Sequence, residues 1–116
     1  MRPFLRVGSS KKDLKAMPDD VQDTFGYALY LAQMDEKHGQ AKPLKGFGSA
    51  AVLEVVEDWH GNTYRAVYIV RLESAVFVLH GFEKRSRHGI ATPKSDLEAI
   101  KERLRAAEGK AKGERQ

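Results

Sequence analysis

The chain has no cysteine among its 116 residues. This absence excludes disulfide bonds, thiol catalysis and cysteine-based zinc sites, and it fits a reducing compartment. The sequence also lacks an apolar run long enough to span a membrane, and its first residues lack the apolar stretch of a secretory signal. Its length suits one domain with a modest core. We therefore expect a cytoplasmic protein of one domain that makes no membrane contact.

Histidine is scarce, and its positions do not suggest a metal site. The chain has four histidines, His38, His60, His80 and His88, scattered along the sequence. No spacing of histidines and carboxylates recurs in the way that metal sites require. We expect no metal and no small-molecule cofactor.

Positive charge is concentrated in the last third of the chain. Residues 1–83 hold 10 Lys and Arg against 11 Asp and Glu, whereas residues 84–116 hold 10 against 5. The densest part is the basic segment 84–94, which has four cations, one histidine and no carboxylate. A basic loop before a helix is suited to a phosphate-rich partner. The alternative interpretation is a solvated helix face followed by a disordered charged tail.

The spacing of apolar residues predicts an α+β domain with three helices and four strands. Two short turns join the last three strands, which indicates an antiparallel meander whose most apolar third strand lies at the centre. The domain covers residues 1–108, and residues 109–116 form a mobile charged tail. The predicted order is a strand over residues 4–7, a helical turn through residue 14, a helix over 18–37, strands over 52–57, 64–71 and 75–82, and a helix over 92–108.

Four segments together resemble a known family. They are KPLKG at 42–46, YRAVYIV at 64–70, VFVLHGFEKRS at 76–86 and ATPKSDLE at 91–98. In this order and spacing they are similar to the RelE/ParE superfamily of bacterial toxins, and within it to the phage-related HigB-like branch. The resemblance covers residues 3–107. It implies the RelE-like fold, with helices packed on a small, mostly antiparallel sheet.

The resemblance also implies an activity and partners. A toxin of this type belongs to a type II toxin–antitoxin system and is neutralised by a small antitoxin, often a helix-turn-helix protein. It cleaves translated messenger RNA on the ribosome without a metal, and it thereby inhibits translation and growth. Such cleavage uses the 2′-OH of the RNA against the adjacent phosphate. The protein must accept that proton, stabilise the phosphate charge and protonate the leaving 5′-oxygen.

Four residues are candidates for the catalytic roles. Arg65 can bind a phosphate with two N–H donors, and an arginine at this strand position is catalytic in related toxins. Lys84 and Arg85 leave the third strand where they could stabilise the transition state, and His88 could carry a proton near neutral pH. The alternative interpretations are a surface cation for Arg65 and a solvated basic loop for the others. His80, within an apolar strand, is more typical of a partly buried histidine whose hydrogen bonds are satisfied.

Further residues are candidates for binding messenger or ribosomal RNA. Cations would contact phosphates, and aromatic rings could stack on bases. Core packing remains an alternative for Tyr68. Some toxins of the superfamily use a C-terminal tyrosine near the scissile phosphate, but no tyrosine follows Tyr68 in this chain. The general acid and the general base therefore stay unassigned. The candidates are Arg87, Lys94, Lys45, Lys42, Tyr68 and His60.

Two other functions remain open on the same fold. One is a ParE-like gyrase poison, which binds its target and catalyses nothing. The other is a non-catalytic nucleic-acid-binding regulatory protein related to phage. The basic segment and Arg65 favour RNA chemistry over gyrase poisoning. The net charge of +4 favours an antitoxin with an acidic contact surface.

Overall fold

The computed structural model of the chain describes residues 3–47, 52–70, 75–84 and 92–114. Within these ranges, three helices and five strands follow in the order β1, α1, α2, β2, β3, β4, β5 and α3. None of the helices in these ranges is long and apolar enough to cross a membrane. The helices are α1 (Ser10–Lys15), α2 (Asp19–Gln33) and α3 (Lys94–Glu114), and the strands are β1 (Phe4–Arg6), β2 (Ala41–Pro43), β3 (Val52–Trp59), β4 (Asn62–Ile69) and β5 (Val76–Lys84).

The strands form one sheet in the order β1-β5-β4-β3-β2. Only β1 pairs in parallel, with β5, and the other described pairs are antiparallel. This confirms the predicted α+β architecture with a mostly antiparallel sheet. Two details were wrong: β4 rather than β5 is the middle strand, and β2 occupies part of a segment expected to be a loop. A strand of three residues that includes a proline is too short to show the alternation of apolar and polar residues typical of strands. β2 is a strand because it pairs with β3.

Helices cover both faces of the sheet. Residues on α2, such as Val21 and Phe25, pack with one set of strand side chains, and α3 packs with the other set through Ile100 and Ala107. Along β4 the two sets alternate, as a strand requires. Tyr64, Ala66 and Tyr68 face α2, whereas Val67 and Ile69 face α3. Each of the two long helices therefore packs an apolar stripe against one face of the sheet.

A tight hairpin joins β3 to β4 and sets their register. Trp59 pairs with Asn62, so the turn consists of His60 and Gly61. Both have positive φ, 49° and 82°. Two positive φ angles are typical of the type I′ turn, whose twist matches that of the strands it joins. The register then places Val56 opposite Arg65.

Both long helices differ from their predicted ends. α2 ends at Gln33 rather than at residue 37, and the chain turns at Asp35, which has a φ of 61°. α3 begins at Lys94, where the Pro93 carbonyl accepts a hydrogen bond from the Leu97 N–H at 2.9 Å. It continues past the predicted end at residue 108 to residue 114, so the predicted end of this helix was wrong.

Candidate functional site

A cavity of about 350 Å³ opens on the side of the sheet that faces α3. Its floor comes from β3 and β4, one side from β2 and the residues that follow it, and the other side from the start of α3. A volume of this size is at the lower end of the range for small-molecule pockets. The lining residues are Lys42, Pro43, Leu44, Lys45, Glu54, Arg65, Thr92 and Leu97.

A buried ion pair forms the polar part of the cavity. Nη1 of Arg65 donates to Oε2 of Glu54 at 2.9 Å, and the two side chains are only 10% and 6% exposed. They meet because the hairpin places Glu54 and Arg65 on the same face, diagonally across β3 and β4. Nε of Arg65 is buried without a hydrogen-bond partner. The guanidinium therefore has donor capacity that Glu54 does not use.

Two lysines lie at the edge of this pair. Lys42 is directly opposite Glu54 in the β2–β3 pairing, and its Nζ lies 3.7 Å from Oε1 of that carboxylate. Its side chain is 58% exposed, so it can move toward a bound ligand without breaking a tightly packed contact. Lys45 lines the same cavity and is exposed. Among the described residues of the lining there are three cations and one carboxylate, so this part of the cavity carries a positive charge.

The walls beside these charges are apolar. Pro43 and Leu44 come from the β2 side and Leu97 from α3. Apolar surfaces on two sides of a polar floor can hold a flat group whose edge makes hydrogen bonds. A carboxylate has about four acceptor positions, and one hydrogen bond from Arg65 leaves most of them open. The cavity can thus accept and donate hydrogen bonds at the same place.

A second polar cluster lies next to the cavity, between β5 and α3. His80 is 2.7 Å from Oδ1 of Asp96 through its Nε2 and 2.7 Å from Nη1 of Arg103 through its Nδ1. The same guanidinium donates to the Leu79 carbonyl at 2.9 Å and to Oγ of Ser9 at 2.9 Å. Both ring nitrogens of His80 are occupied, which confirms the interpretation of a partly buried, satisfied histidine.

A bulge in β5 brings His80 to this position. Val67 pairs with His80 but Tyr68 pairs with Val78, so Leu79 is an extra residue on β5. An extra residue shifts the side-chain alternation by one position. His80 and Phe82 therefore lie on the α3 face with Arg65, and the two rings stack at 5.2 Å between centroids. Strict alternation from Leu79 would have placed His80 on the other face.

Three of the residues predicted from the sequence lie together. Arg65, Lys42 and Lys45 all line the cavity. Arg65 does not match the alternative of an exposed surface cation, because it is buried and paired. Lys94 is exposed at the first residue of α3, outside the cavity lining.

Two of the predicted residues lie away from the cavity. Tyr68 is 1% exposed and packs under α2, on the opposite face of the sheet. A base cannot stack on it there, so that prediction was wrong and the core-packing alternative holds. His60 lies at the tip of the β3–β4 hairpin, with its ring 4.2 Å from that of Trp59. From Arg65 to the hairpin turn the strand covers roughly 10 Å, so His60 does not join the cavity.

The remaining predicted residues belong to the basic segment. Lys84 is the last residue of β5, opposite Thr63. Arg85, Arg87 and His88 lie outside the described residues.

Glu54 is the site residue that the sequence analysis missed. An acidic residue in an apolar strand suggested nothing by itself. The signal was the hairpin: a two-residue turn after Trp59 pairs Val56 with Arg65 and puts Glu54 on the same face as the arginine. Within the described parts of the chain, no group of three histidine, aspartate or glutamate side chains could hold a metal ion.

Comparison with known proteins identifies the family. A family model described as "Phage derived protein Gp49-like (DUF891)" matches residues 12–105. No curated protein and no solved structure matches the chain significantly. The matched region includes all the described residues that line the cavity. The chain belongs to the Gp49-like, phage-derived family, which is part of the RelE/HigB-like toxin superfamily.

Proposed function

We propose that this protein is the toxin of a type II toxin–antitoxin system and an endoribonuclease that cleaves translated messenger RNA on the ribosome. The observation that carries the proposal is the cavity, in which a buried arginine with an unused donor lies beside two accessible lysines. This arrangement occurs in a chain of a toxin superfamily. Accessible cations around a fixed guanidinium are what phosphodiester cleavage without a metal requires.

In the proposed reaction, the 2′-oxygen attacks the adjacent phosphorus and the bond to the 5′-oxygen breaks. The products are a 2′,3′-cyclic phosphate and a 5′-hydroxyl. Arg65, Lys84 and Arg85 stabilise the charge that develops on the phosphate oxygens. His88 accepts the proton of the 2′-OH or delivers one to the 5′-oxygen. Arg65 keeps its ion pair with Glu54 during this step, because other N–H groups of the guanidinium remain available.

The contacts that hold the RNA lie around this centre. Lys42 and Lys45 are accessible at the cavity and can bind phosphates on either side of the cleaved bond. Lys94 and Arg87 bind ribosomal RNA through its phosphates, and His60 contacts it separately from the hairpin tip. A cognate antitoxin, of the helix-turn-helix type, neutralises the toxin by covering the basic surface.

The test is induction of the gene in a bacterial host, followed by growth measurement and primer-extension mapping of a translated reporter messenger. The informative variant is Arg65→Lys, because it keeps a positive charge beside Glu54 but loses the planar fork that binds a phosphate. The matched control is Arg105→Lys on the exposed part of α3. A second variant, Lys84→Ala/Arg85→Ala, tests the end of β5.

We expect the wild type and the Arg105→Lys control to arrest growth and to cut the messenger within its reading frame. Cleavage should fall at least about tenfold in Arg65→Lys, the loss expected for one removed charge-stabilising contact. Growth arrest with intact messenger would refute the nuclease, and a parallel DNA supercoiling assay would then test gyrase poisoning. Cleavage that is unchanged in Arg65→Lys would refute the proposed centre.

A further inference from the structure

The cavity contains a buried carboxylate, which a site built only for phosphates would not need. Glu54 is 4% exposed and lies on the floor of the cavity. An anion such as phosphate is repelled by a carboxylate and attracted by cations. The accessible cations, Lys42 and Lys45, line the cavity with exposed side chains, whereas the buried Arg65 is already paired with Glu54. The floor therefore suits a ligand group that donates hydrogen bonds to Glu54.

The shape and walls of the cavity suit a flat ring. Pro43 and Leu44 on one side and Leu97 on the other provide apolar surface, and the volume of about 350 Å³ is enough for one small ligand group. Nucleic-acid enzymes commonly hold an unstacked base between apolar side chains and read its edge with polar groups. An RNA substrate brings such a ring next to each phosphate.

The order of polar groups on the floor selects one base. Lys42 lies next to Oε1 of Glu54, and Arg65 lies next to Oε2. Along this line the cavity offers a donor from the lysine followed by two carboxylate acceptors. The Watson–Crick edge of guanine presents the complementary order: O6 accepts, and N1–H and the N2 amino group donate. Adenine, cytosine and uracil each lack two adjacent donors on that edge.

We infer that the cavity is a guanine-binding subsite in which Glu54 reads the base. Both carboxylate oxygens accept, Oε1 from N1–H and Oε2 from the N2 amino group, while Lys42 donates to O6. Each carboxylate oxygen has a second acceptor position, so the Arg65 hydrogen bond to Oε2 is kept. The inference rests on the proposed function for its biological substrate, because it assigns a base preference to the same RNA-cleaving site.

The test uses the purified chain and free nucleotides, so it is independent of ribosomes and of cleavage. Binding of guanosine, inosine, adenosine, cytidine and uridine 5′-monophosphates is measured by chemical-shift titration of backbone amides. Inosine is the decisive comparison, because it differs from guanosine only by the missing N2 amino group. We expect guanosine monophosphate to bind about tenfold more tightly than inosine monophosphate, since the missing N2 amino group removes one hydrogen bond to a charged acceptor.

A variant pair tests the residue that reads the base. Glu54→Gln keeps the side-chain shape and an acceptor oxygen for Arg65 and the N2 amino group, but it replaces Oε1, the acceptor of N1–H, with a donor. Because guanine and hypoxanthine both carry N1–H, this variant should bind guanosine and inosine monophosphates about tenfold more weakly. Glu57→Gln is the matched control, because Glu57 is on the same strand but contacts Thr24 of α2 on the other face. It should leave both affinities unchanged, and circular dichroism confirms that both variants are folded.

The outcomes for the subsite and for the nuclease are separable. Equal binding of guanosine and inosine monophosphates by the wild type overturns the guanine subsite, even if the messenger is cleaved in cells. Unchanged binding of guanosine monophosphate by Glu54→Gln also overturns it. Selective guanosine binding without any messenger cleavage supports the subsite while the nuclease proposal fails. If both hold, mapped cuts should lie beside guanines in the wild type.

Discussion

Arg103 and His80 are held together at 2.7 Å, with Nη1 of the arginine donating to Nδ1 of the histidine. Arginine has no acceptor, so Nδ1 of His80 must be unprotonated in this contact. The proton of the neutral ring is then on Nε2, which donates to Oδ1 of Asp96 at 2.7 Å. The contact with Arg103 thus fixes the tautomer of His80. Together, the contacts with Asp96 and Arg103 tie β5 to the first turn and the middle of α3.

Replacement of Arg103 should destabilise the fold strongly. Arg103→Met keeps the apolar part of the side chain but leaves Nδ1 of His80 and the Leu79 carbonyl without their donor. Unsatisfied, partly buried groups of this kind cost about 1–3 kcal/mol each. We expect a loss of about 2–4 kcal/mol in the free energy of unfolding, measured by urea denaturation. Arg105→Met, at an exposed position, is the control and should change it by less than about 0.5 kcal/mol. Equal effects of the two changes would show that the cluster contributes no specific stability.

Burial raises the pKa of Tyr68 from 10.0 to about 12. The folded state therefore favours the protonated phenol more than the unfolded state does. The resulting stabilisation is fully present below pH 10 and is lost as the pH rises through about 12. We expect the wild type to lose about 2–3 kcal/mol more than Tyr68→Phe over this range, at about 1.4 kcal/mol per pKa unit. The measurement is denaturant unfolding of both proteins at several pH values.

The comparison at neutral pH provides a check on Tyr68. Its hydroxyl is buried without a hydrogen-bond partner. Removal of an unpaired buried hydroxyl should cost little or even stabilise the protein. Tyr68→Phe should therefore match or slightly exceed the wild-type stability at pH 7. A large loss there would mean that the hydroxyl makes a hydrogen bond in solution.

Much of the fold could be predicted because strong local patterns agree with the final packing. The apolar stripe of α2 from Val21 to Ala32 and the alternation along β4 are strong local patterns, and they underlie the predicted helix over 18–37 and strand over 64–71. The short β2 strand could not be predicted in this way, because its existence depends on β3. The position of β5 was predicted wrongly for a similar reason. Because β1 pairs with the other edge of β5, the middle strand of the sheet is β4.

The candidate site was only partly predictable, for two physical reasons. Arg65 was found from its residue type and strand position, but its partner Glu54 became visible only through the register of the hairpin. The bulge at Leu79 carries no clear sequence signal, yet it decides which face His80 occupies. A one-residue shift in a strand moves every later side chain to the other face of the sheet. The residue types alone therefore cannot show which face His80 occupies.

Two glycines should respond in opposite ways to alanine. Gly26 is inside α2, is exposed, and has open space where a Cβ would be added. Gly26→Ala should stabilise the protein by about 0.5–1 kcal/mol, the difference in helix propensity between the two residues. Gly61 has a φ of 82° in the β3–β4 turn, so Gly61→Ala should destabilise it by about 1 kcal/mol or more. Thermal unfolding of both variants shows whether each change raises or lowers the free energy of unfolding. Destabilisation by Gly26→Ala would contradict the open space at this position in the structure.

The Glu54–Arg65 pair should show strong coupling in stability. Arg65→Met leaves the carboxylate of Glu54 buried at 6% side-chain exposure, and among the described residues its remaining ion-pair partner is the exposed Lys42 at 3.7 Å. Breaking a buried pair by removing one partner costs about 3–5 kcal/mol, whereas replacing both partners with apolar residues is often nearly neutral. We therefore expect Arg65→Met to lose about 3–5 kcal/mol and Glu54→Leu/Arg65→Met to recover most of this loss.

The same double-mutant cycle separates stability from function at the cavity. Lys42→Met is the control for an exposed ion pair and should cost less than about 1 kcal/mol. The double variant Glu54→Leu/Arg65→Met could be as stable as the wild type and yet fail to cleave messenger and to distinguish guanosine from inosine monophosphate. This result would show that the ion pair serves function rather than stability. Additive losses for the two single changes would show instead that each side chain is stabilised by other neighbours, and the ion pair would then not be the organising contact of the cavity.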